Sequence, residues 1–255
     1  AWQDFSHAGG AGEATHSVLK PKAELEALLS ARGVSNSRPV IVYGDWINQW
    51  GEEGRLLWML DYLGHPDVKV MYGGIDAYRL PAPNGAGYED TLVSDSDAPL
   101  AGAFVSPGLQ EQVRADRDEI AAALELGLCN YAFFDTRTQA EYDGSRSMYN
   151  ARREGHIPNA LWYPWKQVFV SDNDGNLRSR DAIRAELASM GVTDNSIIVS
   201  YCTGGIRSVR ALTRPLLCCS LLCRPWCTPR AEARTHRLAC NCGLNRGWRR
   251  LLCCL

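Results

Sequence analysis

An internal repeat limits what this chain can fold into. Two stretches, Lys20–Gly44 and Arg178–Cys202, match without gaps at an offset of 158 residues. Each begins with a helical apolar period and continues through Gly-Val and a polar turn into a β-branched run. Two long copies of a helix–turn–strand unit predict two similar α/β domains, since a solenoid needs three or more short repeats.

The helix of the second copy is bounded by residues typical of helix ends. Ser179 suits the N-cap, and Gly191 stands where a left-handed C-terminal residue is expected. Between them Ile183, Leu187 and Met190 recur at helical spacing, which predicts one apolar face.

The first copy has the same organisation. Pro21 suits the first helical turn, and Gly33 stands at the end of the helix. The apolar face is predicted at Leu25, Leu28 and Leu29.

Short apolar runs after these helices predict strands. Val40–Tyr43 and Ile197–Ser200 lie between turn signals, as buried parallel strands do. The first domain continues with a predicted helix over Glu53–Leu63, a strand over Val68–Tyr72 and a helix near Ile75–Tyr78. The second domain is predicted to open with a helix over Asp116–Leu126 and a strand, Tyr131–Phe134, that ends at Asp135.

Composition is typical of a globular protein and excludes several classes. The chain is 45% hydrophobic and 22% charged, with a net charge of −2, which argues against a general nucleic-acid or anionic-membrane binder. No apolar run approaches the roughly 18 residues that span a bilayer. The start of the chain has no signal-peptide pattern, and the cysteines are not spread as in a disulfide scaffold, so we expect a reducing, cytoplasmic location.

The end of the chain changes character abruptly. Residues 213–255 hold eight Arg, no Lys, one Glu and eight Cys, and they lack helical or strand periodicity. This indicates a change of reading frame from about residue 213. We therefore expect the second sheet to lack the strand that would match Val68–Tyr72, and to have an unpaired edge.

Cys202 is the candidate nucleophile. It ends a predicted buried strand and precedes a loop that leads into a helix, where backbone N–H groups favour a thiolate. Gly204 and Gly205 permit a tight backbone path, and Arg207 supplies a fixed positive charge for an anionic donor. The alternative is a buried structural cysteine, which the following loop makes the weaker interpretation.

The residues around Cys202 resemble a known family. IVSYCTGGIRS, residues 198–208, is similar to the active-site loop of rhodaneses, with the pattern Cys-x-x-Gly-x-[Arg/Thr]-[Ala/Ser]. Phe134–Arg137 resembles the Asp-x-Arg signature of the family's first strand. Two further signatures of the family follow along its sequence, and they are similar to Glu141-Tyr142 and Gly155–Ala160 of this chain. Arg55–Trp58, Tyr62–His65 and Gly73-Gly74 resemble the N-terminal domain of two-domain thiosulfate and 3-mercaptopyruvate sulfurtransferases.

The resemblance implies tandem rhodanese-like domains, each a parallel sheet flanked by helices. Residues 1–80 would form a non-catalytic domain that lacks its opening strand, because Gly44 stands where the repeat places Cys202. Residues 81–103 would be a linker, residues 104–212 an incomplete catalytic domain, and residues 213–255 an aberrant tail.

The implied activity is sulfur transfer through a Cys202 persulfide. The donor would be an anion such as thiosulfate or 3-mercaptopyruvate, and the acceptor cyanide or a thiol. The expected substrate-binding residues are Arg137 and the loop residues Thr203, Gly204, Gly205, Ile206 and Arg207. We expect no cofactor, no metal, no nucleic acid or membrane partner, and a monomer.

Other residues near this site have two possible roles each. Asp135 and Arg137 tie the strand end to neighbouring loops or shape the donor site. Trp46 and Trp50 either belong to a core or line the cleft wall. Arg152 and Arg153 form a solvated pair or a lip of the cleft, and His156 is expected to satisfy a backbone carbonyl rather than to act as a base.

Three other functions compete with sulfur transfer. A Cys-dependent phosphatase of the same fold needs Cys-x5-Arg, whereas this chain has Cys-x4-Arg, one residue too short for a phosphoryl group. A catalytically weak or silent rhodanese-like binding module would fit the altered C-terminus. Zinc could be bound by Cys219, Cys223, Cys227 and His236, although their spacing is not that of known fingers.

Overall fold

Two units of parallel sheet and helix follow one another along the chain. The computed structural model describes residues 1–7, 17–45, 50–79, 101–146, 153–171, 175–209 and 249–251. The α/β class predicted from the repeat is confirmed, since every strand pair in both sheets is parallel.

The first unit has a short 3-10 helix at Trp2–Phe5 and a two-stranded sheet. Its other elements are α1 (Lys22–Ala31), β1 (Val40–Val42), α2 (Glu52–Tyr62), β2 (Val68–Val70) and α3 (Gly74–Arg79). β1 and β2 are parallel, with Val40 opposite Val68. The helices and strands predicted along this half of the sequence are therefore confirmed, with ends that differ by one or two residues.

The second unit has a four-stranded sheet with the order β4-β3-β5-β6. Its elements are α4 (Arg117–Glu125), β3 (Tyr131–Asp135), α5 (Gln139–Tyr142), β4 (Leu161–Trp162), α6 (Arg180–Ser189), β5 (Ile197–Tyr201) and β6 (Arg249–Leu251), with 3-10 helices at Glu111–Val113 and Trp165–Val168. β5 lies between two neighbours, so the residue that follows it emerges at the middle of the sheet's carboxyl edge.

The predicted helix ends are found in both copies of the repeat. The Ser179 side chain accepts a hydrogen bond from the Ala182 N–H at 3.2 Å. Gly191 and Gly33 have φ angles of 85° and 82°, the left-handed conformation expected after a helix. Ile183 lies in the core of the second unit. Leu187 is buried beside it, and Leu25 and Leu29 are buried in the first unit, whereas Leu28 and Met190 are only partly buried. The apolar periodicity therefore identified four of the six predicted face residues as buried.

The expectation that both repeat strands are buried is wrong for β1. Ile41 is 61% exposed and only Val42 is buried, whereas the last four residues of β5 are all buried. The reason is sheet position: among the described residues β1 pairs with β2 alone, while β5 has a strand on each side.

The expectation of an unpaired edge in the second sheet is also wrong. β6, from the Arg- and Cys-rich tail, pairs in parallel with β5 and places Arg249 opposite Ile198. A three-residue strand is too short to have a readable period, but its backbone satisfies the N–H and C=O groups along the edge of β5. The four tail residues considered for zinc lie outside the described residues.

The two units contact each other near the Cys202 loop. Val209, just after that loop, is fully buried in the apolar cluster of the first unit. Phe104 lies in the same cluster and stacks on His65 at 5.6 Å, so the segment before the second unit packs on the first. None of the helices in the described residues is long and apolar enough to cross a bilayer.

Candidate active site

Cys202 lies directly after β5 and is 2% exposed. It stands at the carboxyl end of an interior parallel strand, the position where open α/β sheets carry their functional loops. The chain then forms a loop over residues 203–206 and becomes helical at Arg207. This is the strand–loop–helix arrangement predicted from the sequence.

The two glycines of the loop differ in whether their positions could accept a side chain. Gly205 has φ 67°, in the left-handed region that disfavours side chains. A Cβ on Gly204 would meet its nearest neighbour, the Ser17 Oγ atom, at 3.7 Å, an ordinary contact distance. The expectation that both positions need glycine is therefore confirmed for Gly205 and wrong for Gly204.

A buried ion pair closes the loop. Nη1 of Arg207 donates to Oε2 of Glu141 at 2.7 Å, and Nη2 donates to Oε1 at 3.0 Å. The Thr203 hydroxyl also donates to Oε1 of Glu141, at 3.1 Å. One carboxylate thus binds both ends of the segment between Thr203 and Arg207.

The charges of this pair stabilise each other. Burial works to raise the pKa of Glu141, but the hydrogen bond and charge of Arg207 and hydrogen bonds from Thr138 lower it to about 2. Burial works to lower the pKa of Arg207, but Glu141 and the charge of Cys202 outweigh this and raise it. Arg207 is therefore a permanent positive charge that lies close enough to Cys202 to interact with it electrostatically.

Glu141 was not among the site residues predicted from the sequence. Its local signal is a capping box at the start of α5, Thr-x-x-Glu over residues 138–141. The backbone N–H of Thr138 donates to Oε2 of Glu141 at 3.2 Å. Because a capping box normally indicates only a helix start, the sequence does not reveal that its carboxylate also binds the Cys202 loop.

Arg137 supports the site from β3. Its guanidinium binds both oxygens of Asp135, with Nη2 to Oδ2 at 2.6 Å, and donates to the Gly155 carbonyl at 2.7 Å. It lies 5.7 Å from the Tyr201 ring and also lines the cleft beside the loop. Asp135 and Arg137 thus make the predicted structural tie, and substrate binding by Arg137 stays a prediction.

The turn before β4 is attached to the strand that carries Cys202. The Tyr201 hydroxyl accepts a hydrogen bond from the Ile157 N–H at 3.0 Å, and burial raises the pKa of this phenol. His156 donates from Nδ1 to the Tyr142 carbonyl at 2.7 Å, as expected of a residue that satisfies a backbone carbonyl. The Gly-His-Ile-Pro segment therefore braces the site.

A cleft of about 710 Å³ opens beside the loop and includes Arg207 in its lining. Trp50 from the first unit forms part of this lining and lies 5.8 Å from the Arg207 guanidinium. Of the two roles considered for Trp50, lining the cleft is the one that the structure shows, whereas Trp46 lies outside the described residues. Arg153 is exposed, and Arg152 lies outside the described residues.

The matching position of the first unit, Gly44, lies against a buried carboxylate. A Cβ on Gly44 would lie 2.9 Å from the Oε2 atom of Glu53, a buried carboxylate. A cysteine at position 44 would therefore require the Glu53 side chain to shift.

Comparison with known proteins identifies the family. A family model of the rhodanese-like domain matches residues 116–220. A putative thiosulfate sulfurtransferase of Haloferax volcanii is 31% identical over 222 residues, which is 80% of this chain and 72% of that protein. The chain belongs to the rhodanese family.

Other rhodanese relatives agree with this assignment. A thiosulfate sulfurtransferase of Azotobacter vinelandii is 30% identical over 188 residues, 74% of this chain, and the match spans only 64% of that relative's length. The crystal structure of SseA from Escherichia coli, described as a 3-mercaptopyruvate sulfotransferase, superposes with a TM-score of 0.63 at 18% identity, over 87% of this chain and 76% of that one. Tum1 of Saccharomyces cerevisiae superposes with a TM-score of 0.65 at 17% identity, over 82% and 69%. The likeness of fold to these two structures covers most of the chain.

Proposed function

We propose that this rhodanese is a sulfurtransferase in which Cys202 carries a sulfane sulfur as a persulfide. The donor is a small anion such as thiosulfate or 3-mercaptopyruvate, and the acceptor is a thiophile such as cyanide or a thiol. The observation that carries this proposal is the position of Cys202 at the end of an interior strand, in a loop closed by a buried cation.

With thiosulfate as donor, the reaction has two balanced steps. The Cys202 thiolate attacks the outer sulfur, the S–S bond of thiosulfate breaks, and sulfite leaves with the bonding electron pair. Cyanide then attacks the outer sulfur of the persulfide, the new S–S bond breaks, and thiocyanate leaves while Cys202 returns to the thiolate.

The loop residues have separate roles in this proposal. The backbone N–H groups over residues 203–206 face the persulfide, and the left-handed Gly205 lets the backbone curve around it. The positive charge of Arg207 stabilises the anionic sulfur on Cys202, because the two side chains are close enough to interact electrostatically. Arg137 faces the donor from the lining of the cleft.

The same geometry favours sulfur over phosphoryl transfer. A phosphatase loop of this kind needs its arginine fork free to bind phosphoryl oxygens, but both terminal nitrogens of Arg207 donate to Glu141. A single sulfur atom on Cys202 does not need that contact.

Intact-mass measurement tests the proposal directly. The chain incubated with thiosulfate should gain one sulfur atom and lose it when cyanide is added, with release of thiocyanate. Cys202→Ser should abolish the gain. Cys129→Ser is the matched control and should retain it, because Cys129 is exposed in the turn after α4. Sulfur loading that persists in Cys202→Ser would refute the assignment.

A further inference from the structure

The first unit contains an arginine that is buried without a carboxylate partner. Arg55, in α2, is 2% exposed, and it makes no ion pair with the residues that the structure describes. Within the same residues its buried Nε and Nη1 atoms have no hydrogen-bond partner. Arg207 is buried to a similar degree, but both of its terminal nitrogens donate to Glu141. The two buried arginines therefore differ in how their charge is accommodated.

The burial of Arg55 lowers the stability of the fold. Its unpaired N–H groups lose their hydrogen bonds to water on folding and gain none in return. The rings of Trp2 and Trp58, whose centres lie 5.8 and 5.1 Å from the guanidinium carbon, offset part of this cost. Proteins break such rules mainly at functional sites. The contacts that Arg55 does make therefore indicate its role.

Arg55 binds a segment that lies against the Cys202 loop. Its Nη2 atom donates a hydrogen bond to the backbone carbonyl of Ser17. Ser17 is also buried, and a Cβ placed on Gly204 would have the Ser17 Oγ atom as its nearest neighbour, at 3.7 Å. Ser17, from the first unit, therefore forms a surface against which the loop backbone packs at Gly204.

Ser17 has a backbone conformation that the surrounding structure must hold. Its φ angle is 61°, in the left-handed region that residues with a side chain rarely adopt. The next residue is anchored, because the Val18 carbonyl accepts a hydrogen bond from the His7 N–H at 2.8 Å. The hydrogen bond from Arg55 anchors Ser17 itself. Without it, the peptide group that follows Ser17 would lose a buried partner.

We propose that Arg55 is a positioning residue for the Cys202 loop. It holds Ser17 in place, and Ser17 keeps the loop backbone at Gly204 in the path that directs the N–H groups of residues 203–206 toward Cys202. None of the contacts described for Arg55 is with Cys202, so its effect passes through Ser17. The kinetic test of this inference rests on the proposed function, whereas its structural test does not.

Two substitutions in the full chain test the two contacts separately. Arg55→Met keeps a long unbranched side chain but cannot donate to the Ser17 carbonyl. Ser17→Gly removes the side chain beside Gly204, and glycine suits a φ of 61°. We expect both variants to unfold in urea at a midpoint equal to or above that of the wild type. The first removes a buried unpaired charge, and the second relieves the backbone.

Hydrogen exchange measured by mass spectrometry reports the loop directly. Peptides that cover residues 203–206 should exchange about tenfold faster in both variants, while peptides from α6 should be unchanged. The rate of sulfur loading at saturating thiosulfate should fall about tenfold, because displaced N–H groups stabilise the transition state less. The thiosulfate concentration that gives half of this rate should stay nearly constant. The combined variant should be no slower than either single one, since both changes act through Ser17.

Arg32→Met is the matched control. Arg32 is also an arginine of the first unit beside an aromatic ring, 5.0 Å from the centre of Phe5, and it donates to the Leu28 carbonyl at 3.1 Å. Because these contacts lie within the first unit, the substitution should leave loop exchange and sulfur loading unchanged. A loss of either in this control equal to that in Arg55→Met would overturn the inference.

Three further outcomes would also overturn it. They are loop exchange unchanged in both variants, exchange that rises equally in α6, and faster loop exchange with undiminished sulfur loading. If Arg55→Met does not fold, Ser17→Gly decides by the same criteria. If thiosulfate loads no sulfur onto the unmutated chain, the proposed function fails, while the exchange of residues 203–206 still tests the role of Arg55.

Discussion

The carboxylate of Glu141 binds both terminal nitrogens of Arg207, and both side chains are almost completely buried. The pair joins the start of α5 to the end of the Cys202 loop, so it sets the position of the loop relative to β3. The Arg207 guanidinium is therefore already paired with a carboxylate of the protein, and its two terminal nitrogens are not free to bind a substrate anion. We propose that Arg207 acts on substrates through its positive charge and through the loop conformation that the pair maintains.

We predict that Glu141→Gln destabilises the protein by about 3 kcal/mol, because it leaves the Arg207 charge buried without a partner. The free energy of unfolding in urea measures this loss. Glu125→Gln, at an exposed position of α4, is the matched control and should change stability by less than about 0.5 kcal/mol. Equal effects of the two substitutions would show that the pair contributes nothing to folding.

The ion pair between Glu141 and Arg207 should also make the stability of the protein depend on pH. The pKa of Glu141 is lowered from 4.5 to about 2 in the folded protein. A carboxyl with a lowered pKa stabilises the fold fully above its unfolded pKa and loses that effect as the pH falls toward its folded pKa. The stability difference between wild type and Glu141→Gln should therefore narrow as the pH falls from about 5 toward 2. A constant difference over this range would contradict the ion pair.

The two loop glycines allow a matched comparison. Gly205→Ala places a side chain in the left-handed region and should cost about 1–2 kcal/mol of stability, together with slower sulfur loading. Gly204→Ala has room for the added methyl group and should change both quantities little. Urea unfolding and the rate of mass gain with thiosulfate measure the two effects. The reverse order of sensitivity would mean that the loop has a different conformation.

Strand β6 should stabilise the second sheet although it lies in the unusual tail. A chain that ends at Trp248 lacks Arg249–Leu251, so it leaves one edge of β5 without its strand partner. We expect a lower urea midpoint and more light scattering on warming than for the control chain that ends at Leu251, which keeps the strand. Identical behaviour of the two chains would show that β6 does not contribute.

The sequence by itself determined the repeated α/β unit, the helix ends and the position of Cys202 directly after a buried strand. These features depend on local chemistry: Ser179 caps its own helix, Gly191 adopts its own left-handed conformation, and β-branched residues place Cys202 at the end of a strand. Each signal is contained in a few consecutive residues, so it can be read without knowledge of the rest of the fold.

Only the tertiary structure decided what surrounds Cys202. Glu141 is 66 residues from Arg207 along the chain, and neither its capping box nor its resemblance to a family signature indicates that the two side chains pair. The pairing of β6 with β5 and the exposure of Ile41 likewise depend on which strands become neighbours. Long-range pairing results from the packing of whole elements, and no short stretch of sequence contains that information.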